Sequence, residues 1–134
     1  MYRKAHIRFL RPEDEPVLFG LARLDRGADE RTLGVLERET VFVAEVEGST
    51  AGYAACEVAG SVVRVDQLFI SADHETEGVG GQLLDYVEGY AISRGAETLQ
   101  IVVEAENRSA LDFYRKRGFT SAGDDVLALV LPRA

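Results

Sequence analysis

The run Glu75-Thr76-Glu77-Gly78-Val79-Gly80-Gly81-Gln82 lays a row of main-chain N–H groups almost free of obstructing side chains. It follows a strand-like stretch and opens a segment with helical spacing, so those amides and the positive end of a helix converge on one point. The natural guest there is a phosphate or diphosphate. The surroundings oppose that guest: from Val65 to Ser93 there is no Lys or Arg, whereas Asp66, Asp73, Glu75, Glu77, Asp85 and Glu88 all fall in the stretch. A dinucleotide site fits less well, because the last glycine of G-x-G-x-x-G is missing, and a P-loop would need a Lys that the turn lacks. Close helix-sheet packing is the plainer use of the same glycines.

Other reactive side chains are scattered. His6 and His74 stand alone, as structural or solvated histidines do. Cys56 lies in a strand of small residues with no His near it in sequence, which suits core packing better than nucleophilic attack. No His, Cys or carboxylate spacing suggests a metal site.

The elements that must position the turn can be read from periodicity. Ala5 to Leu10 is strand-like, and Arg11-Pro12-Glu13-Asp14 opens a helix with apolar face Val17, Leu18, Leu21 and Leu24, broken at Gly27. A short helix is expected over Glu30 to Leu36. Three consecutive antiparallel strands follow: Val41 to Ala44, Ala51 to Val58 and Val62 to Ile70, with turns at Glu47-Gly48-Ser49-Thr50 and Ala59-Gly60. The helix after the glycine turn buries Val79, Leu83, Leu84, Val87 and Ala91 and ends at Gly95. Leu99 to Val103 is the next strand. Asn107 then caps a helix carrying Ala110, Leu111, Phe113 and Tyr114, stopped by Gly118. A hairpin from Phe119, turning at Gly123-Asp124-Asp125, closes with Val126 to Leu131. The fold class is α+β: a mixed, mainly antiparallel sheet flanked by helices on both faces.

The 134 residues are 46% hydrophobic, enough for one domain over 1–134 with a real core. A net charge of -8 argues against nucleic-acid or anionic membrane surfaces and favours cationic or amine-bearing partners. No apolar run is long enough to span a bilayer, and a lone Cys without a signal-like segment points to a cytoplasmic, reducing setting.

The ordered set Asp66-Gln67-Leu68-Phe69-Ile70, Gly78-Val79-Gly80-Gly81-Gln82-Leu83-Leu84, Asn107-Arg108-Ser109-Ala110-Leu111-Asp112-Phe113-Tyr114 and Gly118-Phe119 resembles the GNAT superfamily of N-acetyltransferases over essentially the whole chain. The resemblance implies an acetyl-CoA cosubstrate and direct attack by an amine in a ternary complex. Gly78, Val79, Gly80, Gly81 and Gln82 would cradle the pyrophosphate. Leu68, Phe69 and Ile70 would present main-chain groups to the pantetheine and thioester. Asn107 would touch the CoA arm, and Tyr114 would protonate the departing thiolate. Asp66 would be the general base, with Glu104 on the neighbouring strand as runner-up. Acyl transfer needs just such an oxyanion donor, proton source and base.

Tyr114 is equally read as a buried aromatic, Asn107 as a helix cap, and the two acids as exposed strand residues. The acceptor would be a small-molecule or peptide amine, selected around Asp25 to Arg31 and near Asp124 and Asp125. By analogy with such proteins, Phe119 to Leu131 offers an edge for a homodimer. One position departs from the family pattern: the usual Arg or Gln before the turn is Glu75. At an effective dielectric of ~20, two unit charges ~4 Å apart interact by about 4 kcal/mol before screening, so weakened cofactor binding is expected. The competing reading is a non-catalytic binding or regulatory module on the same fold.

Overall fold

A computed structural model describes residues 2–26, 34, 36 and 38–132. Strand β1 (His6–Phe9) leads into helix α1 (Asp14–Arg26), then β2 (Thr40–Val46), β3 (Ser49–Ala59) and β4 (Val62–Ile70). A 3-10 turn (Ala72–His74) precedes α2 (Val79–Ser93). The chain continues through β5 (Thr98–Val102), α3 (Arg108–Lys116), β6 (Thr120–Gly123) and β7 (Val126–Val130). The sheet order is β1-β2-β3-β4-β5-β7-β6. Every neighbouring pair is antiparallel except β4 and β5, and that parallel pair is joined by the crossover that only a longer connection can make, through α2.

The hairpins follow from local chemistry. Glu47 and Gly48 both have positive φ, 51° and 81°, the conformation that a two-residue hairpin turn needs to match strand twist. The expected four-residue turn therefore tightens to two, and β3 begins at Ser49. The helix expected over Glu30 to Leu36 lies largely outside the described residues, as do the side chains from Asp25 to Arg31.

Strand alternation sorts the core onto two faces. On one, Val41, Val43, Tyr53, Ala55 and Phe69 pack with Leu18 and Leu36, half-buried Leu21 joining them. On the other, Phe42, Ala54, Val63, Val65 and Ile101 belong to the cluster that holds Val79, Leu83, Leu84, Val87 and Ala91 of α2 and Tyr114 of α3. All five apolar positions expected for α2 are buried. Val17 of α1, expected in the core, is 50% exposed. Its helix is anchored by Asp14, whose carboxylate takes two bonds from Arg8 (2.7 and 3.0 Å) and one from the Arg11 N–H (2.7 Å). Leu18 and Leu21 stay on the face Asp14 turns inward, and Val17 falls at its margin. The Arg8 guanidinium outweighs burial and holds Asp14 below the usual carboxylate range. Of the stretch expected to offer a sheet edge, only β6 does so, because β7 is paired on both sides.

Candidate functional site

A bulge in β4 sets up the site. Ala55 pairs with Gln67 and Cys56 with Val65, so Asp66 is an extra residue without a β3 partner of its own. The insertion resets the alternation: Val63 and Val65, then Leu68 and Ile70, all face α2, whereas Phe69 faces α1. Pairing of β4 with β5 ends at Val65↔Ile101, yet β4 runs on beside β3 to Gly52↔Ile70. Past its vertex at Val65 and Ile101, the sheet therefore opens between β4 and β5. β3 backs this part of β4 so tightly that a Cβ on Gly52 would sit 2.3 Å from the Phe69 carbonyl oxygen.

The glycine turn stands at the open end. Gly78 takes the left-handed conformation (φ 76°) as the N-cap of α2, and no side chain caps the helix. The first intrahelical bond is Gln82 N–H to Gly78 O at 3.3 Å, so the N–H groups of Val79, Gly80 and Gly81 precede it. A Cβ on Gly80 would meet Ile70 Cγ1 at 3.7 Å, which sets the first turn of α2 against the end of β4. Gln82 differs from the expectation. Its N–H is taken by the helix, its Nε2 donates to Arg3 O (2.6 Å), and its Oε1 accepts from Ala5 N–H (2.8 Å). Its side chain is a clasp on the segment before β1, and the amides open to a diphosphate narrow to Gly78 through Gly81.

The acids of the turn are unequal. Glu77 is tied to His74 Nδ1 and lies 3.8 Å from Arg3 Nε, while Glu75 is exposed. Arg117, from the end of α3, donates to Gly81 O (3.3 Å) and pairs with Asp85, bringing a guanidinium to the first turn of α2. Asn107 caps α3, its Oδ1 accepting from Ala110 N–H at 3.2 Å. Tyr114 is 6% exposed, its ring 5.2 Å from Phe113 and 5.9 Å from Phe119.

Glu104, expected on a strand, lies beyond the end of β5 in an exposed loop, where its carbonyl accepts the Asn107 N–H (3.0 Å). The last bond of the β5–β7 ladder runs from the Val103 N–H to Asp125 O (2.8 Å), where β7 gives way to the hairpin turn, and Glu104 falls beyond it. Asp125 Oδ1 also accepts from Ala105 N–H (3.1 Å), so this carboxylate holds two loops together.

Asp66 sits in a cluster that sequence reasoning did not foresee. Arg64 Nε reaches Asp66 Oδ1 at 2.6 Å and Arg64 Nη2 reaches Glu57 Oε2 at 2.7 Å. Glu39, just before β2, joins them, and acceptor atoms of Glu39, Glu57 and Asp66 lie within 4.8 Å of one another. Burial, and then Asp66, push the Glu39 carboxyl up to about 8. Burial works against the charge on Asp66 too, but Arg64 and Glu39 hold it below its ordinary value. Burial also pushes the Cys56 thiol up to about 12, leaving it neutral and unreactive.

A family model described as the acetyltransferase (GNAT) family matches residues 6–119. The chain belongs to that family. Among curated proteins it is 29% identical over 90 residues to an uncharacterised N-acetyltransferase of Methanocaldococcus jannaschii, covering 62% of this chain and 40% of that one. It is 28% identical over 86 residues to the ribosomal protein bS18-alanine N-acetyltransferase of Escherichia coli, covering 64% and 58%. The matched stretches thus span about half the length of these relatives. In solved structures, the GNAT sheet and helices superpose on the ribosomal-protein-S18-alanine N-acetyltransferase of Escherichia coli with a TM-score of 0.86 at 23% identity, covering 98% of this chain and 96% of that one. A PaiA N-acetyltransferase from Thermoplasma acidophilum, solved in complex with coenzyme A, gives 0.78 at 17% identity, covering 95% and 99%.

Proposed function

We propose that this GNAT protein is an acetyl-CoA-dependent N-acetyltransferase in which an amine attacks the thioester directly. One observation carries the reading. The uncapped N-terminus of α2 leans on Ile70 at the end of β4, beyond the Val65 vertex where β4 parts from β5, so an anion niche stands at the far end of an unpaired strand flank. A diphosphate followed by an extended amide-bearing arm matches that pair of features.

In this reading the amides at Gly78 to Gly81 hold the diphosphate, and Arg117 supplies the cation that Glu75 does not. Leu68, Phe69 and Ile70 offer main-chain groups to the arm and the thioester oxygen. Acetyl-CoA brings an activated acyl group. Asp66 takes the proton from the amine, and Tyr114 donates one to the leaving sulfur. Asn107 orients the α3 end of the arm while capping its helix. The acceptor is a small-molecule or peptide amine. The acidic cluster at Asp66 supports a cationic acceptor, and the bS18-alanine relative supports a peptide amine.

Calorimetric titration with acetyl-CoA, paired with thiol release on a panel of amines, tests this. Binding by the parent chain, tightened in Glu75→Arg, together with amine-dependent thiol release, is expected. No binding heat in either protein would leave a non-catalytic module.

A further inference from the structure

The carboxyl cluster at the bulge contains an imbalance. Arg64 is its cation, and its bonds go to Asp66 (2.6 and 3.3 Å) and Glu57 (2.7 Å). Three carboxyls thus face one guanidinium. Glu39 Oε1 is closed off from solvent, and no donor among the described residues reaches it. A buried carboxylate oxygen without a donor, beside a second carboxylate, is stabilised by a proton held between the two. Glu39 also lines a cavity of about 550 Å³ with Arg38, Thr40, Cys56, Glu57 and Val58. The cavity adjoins the cluster at the level of Thr40, Cys56 and Val65, a paired row next to the wedge vertex.

We propose that Glu39 is a positioning residue that shares a proton with Asp66, and that the pair is the proton acceptor for an ammonium substrate entering through this cavity. The inference rests on the acetyl-transfer reading above. The ammonium gives one proton to the fully ionised pair, and the freed nitrogen lone pair forms the C–N bond to the acetyl carbon. As the C–S bond breaks the nitrogen sheds its second proton to water, and the sulfur leaves as the thiol with the proton of Tyr114, which regains one from water.

Asp66 by itself is a poor partner for this transfer, because Arg64 and the bond shared with Glu39 hold it below the ordinary carboxylate range. A base works best when its proton affinity approaches that of the group it deprotonates. The titration of Glu39 near 8 brings the pair into that range. The groups facing the pair are Cys56 and Glu57 of β3 and Arg64 of β4, while Arg38, from the segment before β2, lines the cavity beside them. Cys56 stays neutral, so Glu57 and Arg64 set the local field. Nearby on the α1 face, the Tyr53 hydroxyl donates to Gln67 Oε1 at 2.6 Å. The cluster has the carboxyls for a metal ion, but Arg64 already fills the cation's place between Asp66 and Glu57.

Two measurements test the pair. In the protein alone, the ¹³C carboxyl resonance of Glu39 is expected to titrate near 8 and to drop by more than one pH unit in Asp66→Asn. A midpoint in the ordinary carboxylate range, or one unmoved by Asp66→Asn, overturns the inference. In turnover, Glu39→Gln is expected to lose the limb of the pH–rate profile near 8 and to slow kcat by roughly 10- to 100-fold. Its affinity for acetyl-CoA should not change, and Glu39→Asp should restore part of the rate. Turnover with an unchanged profile in Glu39→Gln sinks this inference and spares the acetyl-transfer reading. No turnover by the wild-type chain with any amine sinks both.

Discussion

Two single methyl additions in the glycine turn should move stability in opposite directions. Gly78 has φ 76°, so Gly78→Ala forces an L side chain into the left-handed region at a cost of roughly 1–2 kcal/mol. The new Cβ would also lie 3.0 Å from Tyr2 Cδ2, but Tyr2 is 67% exposed and can swing away, so the backbone term decides. Gly80 lies inside α2, and the nearest atom to a Cβ there is Ile70 Cγ1 at ordinary contact distance, 3.7 Å. Gly80→Ala should therefore stabilise by about 0.4–1 kcal/mol, by narrowing the unfolded ensemble. The two variants should differ by about 1.5–3 kcal/mol, several degrees in Tm for a chain of this size. Ligand binding separates them again. If the turn relaxes its strain by rotating the Val79 to Gly81 amides, Gly78→Ala weakens coenzyme A by up to roughly tenfold for 1.4 kcal/mol. Gly80→Ala, whose methyl points at Ile70, leaves the affinity nearly unchanged. Urea unfolding of the free proteins and calorimetry at fixed salt give both numbers. Equal stability of the two variants, or unaltered coenzyme A binding in a destabilised Gly78→Ala, would refute the reasoning.

Gly52→Ala pushes a Cβ against the Phe69 carbonyl at 2.3 Å, and main chain cannot swing aside as a side chain does. A loss of about 1–3 kcal/mol in urea unfolding is expected, and an unchanged midpoint would contradict the tight β3–β4 backing. Tyr114→Phe keeps the ring contacts with Phe113 and Phe119, so stability should hold while kcat falls roughly 10²-fold; unchanged turnover removes the proton-donor role. Glu39 has a folded pKa raised from 4.5 to about 8, so the folded chain keeps a proton that the unfolded chain releases. Its stabilising share is complete below pH 4.5 and is lost as pH rises through 8. Glu39→Gln should therefore gain Tm relative to wild type as pH climbs from 5 to 8.5, and a constant Tm difference across that range would count against the shift.

The parts of this architecture that sequence discloses are those whose cause is local. The apolar stripe of α2 repeats without interruption and is buried at every expected position, and the Asn107 cap needs only the residues that follow it. Val17 misled because the rotation of α1 is set by Asp14 meeting Arg8 from another element. Gln82 misled because its partners, Arg3 and Ala5, come from the start of the chain. Glu104 misled because the ladder ends where its partner strand turns at Asp125 (φ 57°), a limit set by the hairpin and not by the periodicity of β5. The Glu39–Asp66 cluster was illegible for a further reason. It depends on one extra residue in β4, and the alternation around Asp66 carries no glycine or proline to mark it.

The same non-local logic resolves the contradiction between an anion niche and its acidic surroundings. Counted along the chain, the stretch around the turn is all carboxylate. In the fold, Glu77 meets His74 and Arg3, Asp85 meets Arg117, and Asp66 meets Arg64, the three arginines lying outside the acidic stretch altogether. Asp73 and Glu75 remain exposed, where water and salt screen them. The repulsion a diphosphate would feel therefore reduces mainly to these screened charges and to Glu88 further along α2, against directed amides at the uncapped end of that helix. On the acetyl-transfer reading, directed donors at contact distance are expected to outweigh screened charges at the rim, so that the loss of the usual Arg or Gln at position 75 weakens the niche without abolishing it.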